Sequence, residues 1–448
     1  MVISHGQNHH LEFVMVIRTF YYIVGLLFTL TVQASPQIEH WVTDNGGRVF
    51  FVSAPDLPML DVKVVFNAGS AQDKALPGTA LLTNAMLSEG AAGKSSDEIA
   101  AAFEDVGANF SNSAKRDMAI LSLRTLTQEH ALNTSLQMMT TVLSEPDFPQ
   151  AAFERLQKQV LLMLQAEKQS PSAIASRAFY SGIYGKHPYG SMPVGNNEVI
   201  PNLNVKNLKK FYHQYYVAKN ATVVLVGAID KAQAEIIGEQ LLSALPAGER
   251  ASPINPVMEL AAGKVVVIDH PSQQTHIMMG QPGISRDDPD YFALYVGNHI
   301  LGGSGLVSRL SNEIREKRGL SYSTYSYFRP MLQLGPYQFG LQTRNDQAQE
   351  ALEVMRSTLN LFTSTGPSDA ELTAAKQNIT GGFALRVDSN SKIANYLAMI
   401  GFYGLPLDYL ETFKGKVSMV TLEGIKDAYS RRVHSGKMVT VMVGGKAN

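Results

Sequence analysis

Leu121-Ser-Leu-Arg-Thr125, a helical pattern from Ala131 to Leu143 and the turn Glu145-Pro-Asp-Phe-Pro149 come once in the first half of the chain. They return as Phe339-Gly-Leu-Gln-Thr343, a helical pattern from Ala348 to Phe362 and the turn Thr365-Gly-Pro-Ser368. Leu123 and Thr125 match Leu341 and Thr343 at the same offset that carries Lys158-Gln159 onto Lys376-Gln377. A second helix follows each turn, from Ala151 to about Lys168 and from Ala370. A period this long is no solenoid, whose units run to about 20–50 residues. It indicates a duplicated domain of roughly 200 residues, well within the ordinary size of a domain.

Each copy opens and closes on strand-like runs. These are Val49 to Val52 and Leu60 to Phe66, closing with Ala221 to Val226, in the first copy; the second has Lys264 to Ile268 and His276 to Gly280, closing with Met438 to Val443. Between them lie paired amphipathic helices, with Leu156, Val160, Met163 and Leu164 at helical spacing in one, and Leu352, Met355, Leu359 and Phe362 in the other. Strands at both ends with helices between predict α+β domains, each a largely antiparallel sheet covered by helices. The stretch from Leu245 to Pro256 holds three prolines and no apolar period, so it reads as an extended linker. The domains are accordingly expected at 35–245 and 259–448, joined by a linker at 246–258.

Of 448 residues, 45% are hydrophobic and 17% charged, enough apolar material for sizeable cores. Lys and Arg total 38 against 39 Asp and Glu, so no general attraction draws the chain to nucleic acid or to an anionic membrane. With no cysteine, disulfides, thiolate metal sites and a cysteine nucleophile are all excluded. The apolar run Tyr21 to Val32 is shorter than the roughly 20 residues a spanning helix needs. Arg18 precedes it and Val32-Gln33-Ala34 follows, the pattern of a secretory signal peptide. Residues 1–34 are therefore expected to be a signal peptide, with Met15 the better start, or else an uncleaved anchor. Export would place the protein in the periplasm, with no stable membrane insertion.

Several motifs imitate chemistry. Gly90-Ala-Ala-Gly-Lys-Ser95 lacks the first glycine of a phosphate-binding loop, Ser88 standing there. Gly302-Gly-Ser-Gly305 lacks the second glycine of a nucleophile elbow, Leu306 standing there, and reads as a glycine turn before a helix. His5, His9 and His10 lie upstream of Met15. His270 and His276 flank a turn with no carboxylate cluster, and His187 reads as a loop or capping residue.

Other stretches form a more specific set. They are Phe66-Asn-Ala-Gly-Ser70, Tyr184-Gly-Lys-His-Pro-Tyr-Gly190, Ala221-Thr-Val-Val-Leu-Val-Gly227, Leu301-Gly-Gly-Ser-Gly-Leu-Val-Ser-Arg-Leu310 and Glu313-Ile-Arg-Glu-Lys-Arg-Gly-Leu-Ser-Tyr322. With them the chain resembles the pitrilysin/insulinase (M16) family of zinc metallopeptidases in its bacterial two-domain form, over nearly its whole length. Active members of that family carry His-x-x-Glu-His on a helix. Its two imidazoles share one face and reach one ion, the Glu between them activates the bound water, and a second Glu completes the site. Aligned on Gly78 and Met86, the two His positions are Leu81 and Ala85, and the base position is Asn84. The window for the last ligand, Val160-Leu-Leu-Met163, is apolar. The resemblance thus implies that this chain binds no zinc and has no catalytic residues of its own.

The resemblance also assigns an Arg and a Tyr of the second half to substrate binding, here Arg315 and Tyr322. Leu306, Leu310 and Ile314 are expected on one face of a helix that ends at Gly319, with Arg315 in its last turn and a strand from Leu320 onward. From the residues alone, Arg315 equally serves the helix C-terminal dipole and Tyr322 equally packs in the core. Taken together, the resemblance implies a non-catalytic subunit of a heteromeric zinc peptidase. A catalytic partner bearing His-x-x-Glu-His would supply the zinc, and a peptide or unfolded protein would be the substrate. The alternatives are a peptide- or protein-binding member without cleavage, and a subunit used only for assembly.

Overall fold

The period of the sequence reappears as two sheets of one topology. The computed structural model describes residues 36–445; the signal-peptide expectation and His5, His9 and His10 lie outside the described residues. In the first half the strands are β1 (Glu39–Val42), β2 (Arg48–Ser53), β3 (Met59–Phe66), a small hairpin β4 (Gly90–Ala91) and β5 (Lys94–Ser95), β6 (Asn109–Ala114), β7 (Ala119–Leu126) and β8 (Ala221–Gly227). Its helices are α1 (Thr79–Met86), α2 (Ser96–Glu104), α3 (Glu129–Ser144), α4 (Gln150–Glu167), α5 (Pro171–Tyr184), α6 (Val205–Tyr215) and α7 (Lys231–Ser243). The second half has β9 (Lys264–Asp269), β10 (Gln274–Pro282), β11 (Thr324–Phe328), β12 (Pro336–Arg344) and β13 (Val439–Gly444). Around these lie α8 (Tyr291–Asn298), α9 (Ala348–Thr365), α10 (Asp369–Gly381), α11 (Asn390–Tyr403), α12 (Tyr409–Ser418) and α13 (Leu422–Arg432).

The first sheet runs β1-β2-β8-β3-β7-β6 and the second β9-β13-β10-β12-β11. In each, the closing strand lies parallel to an early strand of its half, β8 to β2 and β13 to β9, and the first sheet carries β1 as an extra edge strand. The remaining pairs are antiparallel. Leu123 pairs with Val62 and Leu341 with Ile277, so the repeated residues occupy equivalent strands.

The halves exchange a helix. α5 of the first half buries Ala175, Phe179, Tyr180 and Ile183 together with Val439, Val441 and Val443 of the second sheet. α11 of the second half buries Leu397 and Phe402 in a core that also holds Phe50, Val52, Val65, Val224 and Val226 of the first sheet. Both contacts depend on a helix glycine at the crossing. A Cβ on Gly182 would meet Val439 at 2.8 Å, and one on Gly401 would meet Phe50 at 2.6 Å. Arg48 locks the second crossing, donating to the Gly401 carbonyl (2.7 Å) and to Thr222 Oγ1 (2.8 Å). A mixed sheet with both faces apolar must be covered on both. Here each sheet takes one of its covers from the other half, and the described chain from Ile38 forms one compact unit.

Two local expectations are corrected. The run from Leu306 to Ile314 is not one helix. It is a 3₁₀ turn (Gly305–Val307), a short α turn (Arg309–Ser311) and a π turn (Asn312–Glu316). Leu310 and Ile314 are buried and Leu306 is exposed, because Ser308 breaks the run in an extended conformation and caps the turn after it. Met163 also faces solvent, while Val160 and Leu164 on the same helix point inward.

Candidate functional site

The helix that the resemblance aligns with the zinc motif is α1. It begins at Gly78, whose φ of +101° suits glycine, and Asp73 caps it. The Asp73 carboxylate accepts from the backbone N–H of Gly78 (2.8 Å) and of Ala80 (2.7 Å). Burial pushes its pKa up to about 8, with those two donors pulling the other way. Asn84 is fully buried; its Nδ2 donates to the Tyr216 hydroxyl (3.2 Å). Its carbonyl accepts from Asn112 Nδ2 of the edge strand β6 (2.8 Å). Leu81 is half-buried and packs against the first core.

These residues do not fit a zinc ion. Leu81 and Ala85 offer no lone pair, and the Asn84 amide is spent on Tyr216 and is no base. On α4, Val160 and Leu164 are core residues. Among the described residues no three or more His, Asp or Glu side chains come together as a metal site. His270 and His276 do approach one another: burial lowers the His276 pKa, and His270 lowers it further. His187 caps the turn Pro188–Gly190, its Nδ1 accepting from Tyr189 N (3.1 Å) while Nε2 meets the Asn255 carbonyl (2.9 Å). The Gly90–Ser95 segment is the β4–β5 hairpin, and Ser95 and Glu98 form the capping box of α2.

Arg315 and Tyr322 do come together. The Arg315 guanidinium lies 4.7 Å from the Tyr322 ring centroid, a cation–π contact. Gly319, at φ +62°, reverses the chain between them. The residues before Tyr322 are anchored. Leu320 is buried with its carbonyl held by Thr343 Oγ1, and Ser321 Oγ donates to the carbonyls of Ser323 and Gln342. Tyr322 itself is 81% exposed, so it is no core residue. Arg315 Nε also pairs with Glu316 (3.5 Å), so the exposed phenol and the remaining guanidinium N–H groups are what this pair can present to a ligand. Among the described residues, neither side chain bonds to the first half.

Two features had no signal in the sequence. The first joins the halves. The buried Asp117 carboxylate accepts from the hydroxyls of Tyr189 (2.5 Å) and Tyr403 (3.1 Å) and from Leu332 N (2.9 Å). Burial raises its pKa, and the three donors oppose the rise. The Arg116 guanidinium beside it sits 3.7 Å from the Tyr180 ring centroid of α5. The second is a cleft of about 700 Å³ between α8, the glycine segment at 302–305 and β11. Asn298 and Ser326 tie its walls, Asn298 Nδ2 donating to the Ser326 carbonyl (2.9 Å) and Ser326 Oγ to Asn298 Oδ1 (2.7 Å). A Cβ on Gly302 would meet Ser326 Oγ at 2.3 Å, so glycine permits the close approach. Arg309 anchors the far end of the glycine segment on Glu371 (2.6 and 2.7 Å), holding that carboxyl down at about 2.

The matches to known proteins agree with this architecture. One family model, insulinase (peptidase family M16), matches residues 48–195; another, peptidase M16 inactive domain, matches residues 202–379. A solved peptidase M16 inactive domain from Pseudomonas fluorescens is 40% identical with a TM-score of 0.89, covering 92% of this chain and 98% of that one. A protease from Helicobacter pylori shares the fold at 19% identity and a TM-score of 0.85, over 92% of this chain and 100% of that one. A Helicobacter pylori protein named non-peptidase homolog YmxG is 24% identical over 419 residues, 92% of this chain and 95% of its own. The Bacillus subtilis protein named uncharacterized zinc protease YmxG is 23% identical over 80% of this chain and 86% of its own. With two sheets of one topology and a relative so similar over almost its full length, the chain belongs to the insulinase family of peptidases, family M16.

Proposed function

We propose that this chain is the non-catalytic, peptide-binding subunit of a heteromeric zinc metallopeptidase of the periplasm. A catalytic M16 partner carrying His-x-x-Glu-His would bring the zinc and its base. This chain would bring Arg315 and Tyr322 to the partner's active site. The observation that carries the reading is a contrast within one molecule. The aligned metal positions hold Leu81 and Ala85, half-buried and without a ligand atom, and Asn84, buried and bonded to Tyr216, whereas Tyr322 stands out to solvent with the Arg315 guanidinium against its ring. The names of two relatives, an inactive domain and a non-peptidase homolog, support the same reading.

Arg315 would donate to a carbonyl of the bound peptide, and the Tyr322 hydroxyl would donate to the oxygen on which charge develops. A hydrogen bond from a charged donor contributes about 1.5–3 kcal/mol, so its loss is worth about tenfold to a hundredfold in rate. The test mixes this chain with a catalytic M16 relative that carries His-x-x-Glu-His and follows cleavage of casein. Activity should appear on mixing, vanish with a chelator, and fall by that factor in Arg315→Ala. Absence of any gain on mixing, or full activity in Arg315→Ala, would leave a binding or assembly protein that takes no part in cleavage.

A further inference from the structure

The cleft beside β11 carries an electrostatic imbalance that the reading above does not use. Three arginines line it, Arg286, Arg329 and Arg386, and no Asp or Glu does. None of the three forms an ion pair with a carboxylate among the described residues. The nearest acidic residues along the chain are engaged elsewhere. Asp287 takes the Ser285 hydroxyl, Asp288 and Asp290 take Arg432 and Arg431, and Asp388 takes Lys392. Behind the wall, Asp117 is saturated by Tyr189, Tyr403 and Leu332.

Two of the guanidiniums lie against aromatic rings. Arg286 lies 5.8 Å from the Tyr291 ring centroid and 5.4 Å from that of Tyr403, and Arg386 lies 5.9 Å from that of Tyr295. Arg386 also donates to the hydroxyls of Tyr295 and Tyr396, neutral partners that leave its charge uncompensated, and Arg286 Nε is buried with no partner at all. Arg329 is exposed at the mouth. A concave, low-dielectric wall concentrates such a field on whatever enters.

We infer that this cleft binds an acidic peptide segment, whose carboxylates Arg286, Arg329 and Arg386 take. Guanidinium matches carboxylate as a planar fork with two parallel hydrogen bonds. A peptide suits the cleft better than a small anion. The volume is that of a ligand of several residues, Tyr295, Tyr325 and Tyr327 add aromatic surface, and β11 lines the cleft along its whole length. The strand begins two residues after Tyr322, so a peptide lying there would continue toward the Arg315–Tyr322 pair. The inference rests on the reading of this chain as a peptide-binding subunit, and names the class of peptide.

The test uses the chain alone, with fluorescence anisotropy of labelled octapeptides alternating Ala with Glu, Gln or Lys, and inorganic phosphate as competitor. The Glu peptide should bind about tenfold or more tighter than the Gln peptide, and its affinity should fall as salt rises. Arg329→Glu, at an exposed position, and Arg386→Gln should each weaken it about tenfold. Arg344→Glu, at an arginine paired with Asp346 outside the cleft, should not. Equal binding of the Glu and Gln peptides, or an undiminished affinity in Arg329→Glu, would overturn the inference and leave the peptide-binding reading standing. Phosphate displacing the Glu peptide at equal concentration would reduce the cleft to a simple anion site. No binding of any peptide would remove both readings.

Discussion

The two halves share a sheet topology and differ in what lies beyond the edge strand. In the first half, α1 and β6 close on each other. Asn84 reaches Tyr216, Asn112 reaches back to the α1 backbone, and Leu81 packs on the core. In the second half, the equivalent pair, α8 and β11, is tied by Asn298 and Ser326 but flanks, with the glycine segment, an open cleft rich in arginine and tyrosine. The same contrast holds for the acid that opens each helix. Asp73 is buried, with its pKa raised to about 8, while Asp290 lies between Arg431 and Arg432, whose hydrogen bonds hold it down at about 2. Duplication supplied one scaffold twice. Side chains at its rim made one copy a closed packing unit and the other a surface with donors to offer.

The largest expected effect tests the closed half. Asn84→Glu puts a carboxylate where no cation waits, and should destabilise the protein by about 3–5 kcal/mol, measured by urea unfolding. A stable variant that binds zinc would break the contrast, since it would mean that α1 still forms an open site. Next is the joint between the halves. Asp117→Ala leaves two tyrosine hydroxyls and an amide without their acceptor and should lose about 3 kcal/mol. Because each sheet is covered by a helix from the other half, unfolding should remain a single transition. Two separated transitions would show that the halves are independent.

The opening acids should give opposite pH dependences. Asp73 has a folded pKa above its unfolded value of about 4, so its contribution is whole below pH 4 and declines as pH rises towards 8. Asp290 has a folded pKa below its unfolded value, so its contribution is present above pH 4 and lost as pH falls towards 2. Asp73→Asn should therefore flatten the stability curve on its neutral-to-alkaline side, and Asp290→Asn on its acid side, in urea midpoints taken from pH 3 to 8. The smallest effect on folding belongs to Tyr322→Ala, expected within about 0.5 kcal/mol because the ring is exposed. A larger loss would make Tyr322 a structural residue and remove its role in the open half.

Much of this was legible in the residues. Strands at the ends of each half and the pairing of Leu123 with Leu341 followed from period and offset, and the structure places them on equivalent strands. The family was legible from its motifs, and the loss of ligands at 81 and 85 from side-chain chemistry. The expected helix from Leu306 was wrong because apolar spacing does not see Ser308, whose extended backbone restarts the run. Arg315 and Tyr322 were found through the resemblance. Spacing alone left them between a helix end and a core.

What the amino-acid order determined by itself was local. Periodicity fixes that Leu352, Met355, Leu359 and Phe362 form the buried face of α9, and Leu or Ala at a ligand position excludes coordination wherever the helix packs. What only the tertiary structure decided was partnership. A buried face does not say which sheet covers it, so the exchange of helices between the halves had no local signature. Arg286, Arg329 and Arg386 likewise come from three separate segments. Whether such charges are neutralised or left facing an open cleft depends on distances in space that no spacing along the chain encodes.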